Sequence, residues 1–183
     1  MDSTELLQDL IERTRVTINE AEGLSQLSDT TLNWKIAPES WSILECLEHL
    51  NYYGDFYIPE IKKQLENNKH EASSNFKSNW LGNYFAKTML PKGKLNKMKT
   101  LKSMNPIGSS LDKKVVDKFI QHQHEILNLL DHAKKVNLTK TKTAISISKL
   151  IKLRLGDTFR VVIYHNQRHM LQAKNALEAQ QAQ

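Results

Sequence analysis

The chain of 183 residues has one cysteine, Cys46, so no internal disulfide is possible and an oxidising compartment gains no support. Glycine and proline are scarce, at six and four residues, while Lys, Leu, Gln, Asn and Glu are common. That balance disfavours a loop-rich or sheet-rich chain and favours helix. No stretch approaches the ~20 apolar residues needed to span a bilayer, so no membrane partner is expected. The opening "MDSTELLQDL" lacks a basic region followed by an apolar run, and no secretory signal is expected. A strong charge imbalance is also missing: the formal net charge is +6, which suits a soluble protein and argues only weakly for nucleic acid. These absences lead to an expected cytoplasmic protein whose length fits one domain over 1–183.

What is present is helical periodicity. Leu7, Leu10, Ile11, Ile18, Ala21 and Leu24 recur at three- and four-residue steps and predict an amphipathic helix over about 2–27. A polar linker, "SDTTLNWKIAPES", follows. At "SWSILECLEHL", Ser42 and Glu45 have capping-box spacing and open a second helix. Ile43, Leu47, Leu50, Tyr57, Ile61 and Leu65 form one apolar stripe on it; Cys46, His49, Tyr53 and Phe56 form another, so it should touch more than one neighbour. Gly54 and Pro59 predict a kink. "FKSNWLGNYFAKTML" predicts a short helix packing Phe76, Trp80 and Phe85, before a long irregular connection rich in lysine. A third long helix is expected over about 111–135, with Ser110 as N-cap and Val116, Phe119, Ile120, Gln123, Ile126, Leu127 and Leu130 inward. Strand-like alternation at Ala144–Ser148 reads as too short and isolated to found a sheet. The last helix should begin near Gly156–Asp157, with Leu155, Phe159, Val162, Ile163, Met170, Ala173 and Leu177 as its stripe. Four long amphipathic segments without convincing strands predict an all-α four-helix bundle.

His165 and His169 stand at i and i+4 on the last helix, so their side chains leave one face with Cβ atoms about 5–6 Å apart. Two imidazoles so placed can meet one divalent cation. A pair of this kind is common by chance, and a third ligand must come from another helix. His49 is the best candidate, on the inward-leaning stripe of the second helix; His70 falls in a loop, and His122, His124 and His132 lie toward the polar side or the end of the third.

The segment "WSILECLEHL" followed at long range by "LGDTFRVVIYHNQRHMLQA" resembles the DinB/YfiT-like superfamily of metal-dependent enzymes. Trp41 and Ser42 match the family's opening of the second helix, His49 and Leu50 its first ligand motif, and His165, Arg168, His169 and Gln172 its second. The resemblance follows the order of the helices over nearly the whole chain. It implies a DinB/YfiT-like bundle in which His49, His165 and His169 bind one divalent metal ion with water in the open positions.

Imidazole ligation suits zinc, nickel, iron or copper; the expected cofactor is one divalent ion, zinc, nickel, iron or manganese. Three neutral ligands leave the cation its full charge, making it a Lewis acid that lowers the pKa of bound water or thiol. The general base is not identified: Asn166 follows the first histidine of the pair and cannot serve, Glu45 is occupied as a cap, Glu48 points to a polar face, and Glu60 is the remaining candidate. A missing base favours a nucleophile made by the metal itself, and a coordinated thiol needs little further help. The resemblance implies thiol-dependent transferases and isomerases as well as hydrolases. The expected activity is thus transfer of a low-molecular-weight thiol to a small molecule, or hydrolysis of one. Asn166 is expected to bond a backbone group, a ligand histidine or a neighbouring helix; Gln172 lies one turn beyond His169; Tyr53 either lines the pocket or packs in the core. Cys46 reads as a small buried hydrophobe; Arg168 either pairs with a carboxylate on a neighbouring element or, the preferred reading, is a surface residue with its stem along the protein. Two alternatives are a bundle merely stapled by its metal and a nucleic-acid-binding protein. The latter would use the 87–102 connection (Lys87, Lys92, Lys94, Lys97, Lys99, Lys102) with Trp80, Tyr84 and Phe85 as a stacking surface; a solvated loop is the preferred reading. A homodimer is expected by analogy with bundles of this size.

Overall fold

A computed structural model describes residues 1–91, 95 and 98–182. The helices are α1 (Ser3–Ser25), α2 (Asp29–Asn33), α3 (Ile43–Glu66), α4 (Trp80–Met89), α5 (Lys114–Ala133) and α6 (Leu155–Gln181), with a hairpin of β1 (Lys142–Ile145) and β2 (Ser148–Arg154) before α6. The architecture is the expected helical bundle. The long helices α1, α5, α3 and α6 form a ring in that spatial order, so α1 and α3 lie diagonally across it, and α4 packs against α6 from outside. Among the described residues no helix is long and apolar enough to cross a membrane.

Each boundary has a local cause. Asp2 caps α1 by accepting the amides of Thr4 and Glu5 at 2.8 and 3.0 Å. The Ser42–Glu45 capping box forms as the spacing predicts, and Glu45 also accepts Lys35 Nζ and the Gly108 amide at 2.7 Å each. α5 starts later than expected: Ser110 is exposed, and Asp112 accepts the Lys114 amide at 2.9 Å. Within the polar linker the sequence makes the short helix α2, because Ser28 caps it and Leu32 buries completely. α3 runs helical through Gly54 and Pro59. Gly54 serves close packing, since a Cβ there would collide with the His122 ring on α5.

The hairpin corrects the expectation of no sheet. β1 finds its partner in β2, antiparallel, pairing Thr143 with Leu153 and Lys142 with Arg154, with an irregularity between Ala144 and Ile145. Thr143, Ile145 and Leu153 bury inward, and the hairpin is tied to the bundle where Glu60 accepts the Ala144 amide at 2.8 Å. A strand judged isolated was therefore half of a pair whose second half, rich in lysine, carried a weak signal. In the 76–90 segment, Phe76 buries at 1% exposure but lies outside the helix, while Trp80 is 80% exposed and Phe85 half-buried.

The apolar interior falls into two clusters. One gathers Leu10, Ile61, Ile126, Leu130 and Phe159; the other gathers Leu24, Leu44, Leu47, Phe119 and Met170. Along α6 the break between them falls at residues 165–169, and along α5 near Gln123. Buried polar groups occupy that layer, Thr14, Gln123, His165, Asn166 and His169 among them. The bundle thus carries a polar storey between two apolar ones.

Candidate metal centre

Three imidazoles converge in this layer. His49 from α3 and His165 and His169 from α6 are 2%, 7% and 9% exposed. One nitrogen of each lies within 4.8 Å of the others, and among the described residues no carboxylate or thiol joins the group. The i, i+4 spacing places His165 and His169 with ring centroids 4.7 Å apart, and packing of α3 against α6 brings His49 to 5.0 and 4.6 Å from them.

The outer nitrogens of His49 and His169 are held. His49 Nδ1 is 2.6 Å from the Met104 carbonyl, which can only accept, so Nδ1 carries the proton and Nε2 presents a lone pair. His169 Nδ1 is 2.9 Å from Gln172 Oε1 and donates in the same way. His49 Nε2 and His165 Nε2 face each other at 3.2 Å. Two nitrogens sharing one ion at ~2.0–2.1 Å in tetrahedral geometry lie about 3.3–3.4 Å apart, so this separation fits a shared cation with little adjustment.

The electrostatics suit a cation equally well. Burial holds His165 well below the ordinary imidazole range, with His169 and His49 adding repulsion against a further proton. Burial likewise pushes His169 down to about 3, and lowers His49 despite its bond to Met104. The rings are therefore neutral at neutral pH, the state a metal ligand requires. Aromatic rings hold them: Trp41 packs at 4.7 Å from His49 and 5.6 Å from His169, and Tyr53 at 4.9 Å from His49 and 4.7 Å from His165.

A model of the DinB superfamily matches residues 10–173. The chain belongs to the DinB superfamily. Comparison with curated proteins and with solved structures finds no match. Superfamily membership and the three-histidine cluster are together compatible with a metal-binding site.

The other sequence candidates divide clearly in this DinB-superfamily bundle. Gln172 holds His169, and Tyr53 packs against two of the imidazoles. Asn166 turns instead to α5, where its Nδ2 donates to Gln123 Oε1 at 2.8 Å. Glu60 is engaged by the hairpin and by Gln64, Glu48 accepts from Asn51, and Glu45 is held by its cap and Lys35. Cys46 is fully buried and its thiol is pushed up by burial, as a small hydrophobe should be. Arg168 corrects the surface reading: it is only 6% exposed, and burial lowers its pKa. His70, His124 and His132 are exposed, and His122 packs under Gly54 beside Asp55.

Sequence reasoning missed the Met104 carbonyl, because a backbone acceptor leaves no mark in a residue pattern. It belongs to a short 3-10 turn, Lys102–Met104, in the lysine-rich connection. That connection therefore has a task at the centre, securing His49. Lys87, Lys99 and Lys102 are exposed, whereas Lys92, Lys94 and Lys97 lie outside the described residues. Trp80 and Tyr84 stack at 5.9 Å on the surface, but Phe85 turns inward to the core.

Proposed function

We propose that the chain is a metal-dependent enzyme in which His49, His165 and His169 hold one divalent ion and act on a small molecule, most readily by transferring a low-molecular-weight thiol to it. The observation that carries this reading is the convergence of three buried imidazoles, one nitrogen of each within 4.8 Å of the others, with Met104 and Gln172 accepting from the Nδ1 atoms of His49 and His169. When bound, the ion would supply Lewis acidity and lower the pKa of a thiol or water in its open position. The chain's own residues orient the ligands, keep them buried and neutral, and pack the Trp41 and Tyr53 rings against them. The carboxylates Glu45, Glu48 and Glu60 are each committed elsewhere, which supports thiol transfer over a hydrolysis needing a protein general base.

Elemental analysis of the purified chain beside His49→Ala tests the ligand set: stoichiometric metal in the first and little in the second is expected, and equal content would overturn it. Turnover of a thiol plus an electrophile, measured against a panel of esters and amides, separates transferase from hydrolase. Chelation should abolish turnover while the helical circular dichroism persists. Joint loss of activity and fold would instead make the metal a structural staple.

A further inference from the structure

Beside the centre lies a cavity of about 80 Å³, bounded by α3, α4, α5, α6 and the hairpin. Leu50, Phe85, Met89, Ile126, Val162 and Ile145 supply much of its wall, and it reaches His165 at one end. Among the described residues no Asp, Glu, Lys or Arg lines it. Four of its polar members are bonded to one another or to backbone: Asn166 donates to Gln123 at 2.8 Å, Gln123 to the Phe119 carbonyl at 3.4 Å, and the Tyr57 hydroxyl lies 3.4 Å from Ser146 Oγ and accepts the Ser146 amide at 3.3 Å; Tyr53 and His165, both uncharged, complete the polar lining. A charged group entering here would lose its hydration and find no counter-charge. An apolar group would lose nothing polar and gain contact with aliphatic and aromatic walls.

We infer that this cavity seats an uncharged, short aliphatic or small apolar group of the substrate, holding it against His165, while any charged portion stays outside. The inference rests on the metal-enzyme reading for its functional meaning, and it assigns the pocket to the electrophilic substrate rather than to an ionised thiol carrier. An apolar cavity of ~150 Å³ is known to hold benzene, so the room here suits a chain of a few carbons.

Methyl-detected NMR of the metal-free chain tests it, with 1-propanol, 1-butanol and 1-pentanol as probes against butanoate and butylammonium. Shifts should centre on Leu50, Ile126, Val161 and Val162, with affinity rising roughly fourfold per methylene until the cavity fills. The charged analogues should bind at least about tenfold more weakly. Met89→Trp should obstruct the pocket and abolish the shifts; Ile147→Trp, at an exposed lining position on the hairpin, is a second obstruction if the first variant does not fold. Equal or tighter binding of butanoate or butylammonium, shifts elsewhere, or none would overturn the inference. Cobalt uptake, read from the visible spectrum, is scored separately. Cobalt without alcohol binding overturns the pocket and leaves the metal reading standing, and alcohol binding without cobalt does the reverse.

Discussion

Two buried polar clusters share the helix α6, little more than two turns apart, and they are built on opposite principles. In the first, Asp157 and Arg160 pair at 3.0 Å, Ser78 donates to Asp157 at 2.6 Å and Arg160 reaches Asn83 at 3.1 Å. Opposite charges answer each other, and the cluster fastens α4 to α6; Gly82 allows the approach, since a Cβ there would collide with the Asp157 carboxyl. In the second, His49, His165 and His169 are three like groups with no anion among them, and their inner nitrogens face one another. Buried polar groups ordinarily find protein partners. The first cluster supplies its own counter-charge, though among the described residues Asp157 Oδ2 is buried without a partner and burial raises the Asp157 pKa; the second has no counter-charge to supply and could hold a cation. The contrast separates an ion-paired fastening from a cluster that could hold a cation.

Breaking each cluster should therefore give different losses. Asp157→Ala leaves Arg160 buried beside no carboxylate and should cost about 3–5 kcal/mol in urea unfolding, while cobalt affinity stays within about threefold because the ligand orientations persist. His165→Ala should do the converse, lowering cobalt affinity more than about 100-fold in a spectroscopic titration with the fold retained; parallel losses in both variants would erase the distinction. Acid sharpens it further. The three imidazoles are held below their ordinary value of 6.5 in the folded chain, so the unfolded chain binds more protons as pH falls beneath that value. Stability of the metal-free chain should decline from about pH 6.5 toward His169's value of about 3, by up to roughly 1.4 kcal/mol per pH unit for each imidazole, with no slope from them above 6.5. Urea unfolding across pH, beside His169→Gln, checks this: a variant with an undiminished slope would show that His169 is not held neutral by burial. The smallest effect is expected from Gln172→Leu, which frees the His169 ring and should weaken cobalt binding about tenfold without changing stoichiometry.

Of the two clusters, only the histidine one was readable in one dimension, and unevenly. His165 and His169 were legible as a pair because helical spacing alone puts them on one face. The Ser42–Glu45 cap was legible because both partners lie within one turn. Arg168 was misread, since a long charged side chain is ordinarily a surface group and only the packing around α6 buries it. β2 was missed because lysines interrupt its apolar alternation, and its pairing with β1 and anchoring by Glu60 decide it.

By itself, the order of residues determined the long helices, the Ser42–Glu45 cap, the apolar faces and the two histidine motifs, all of which depend on periodicities of a few residues. Tertiary structure alone decided that His49 meets the α6 pair, that Met104 accepts from His49 Nδ1, that Asn166 pairs with Gln123, and that a cavity lined, among the described residues, by no charged side chain opens beside His165. The physical reason is that local hydrogen bonding and hydrophobic periodicity act within a turn or two of chain. A three-histidine cluster and a pocket instead depend on how whole helices settle against one another to exclude water.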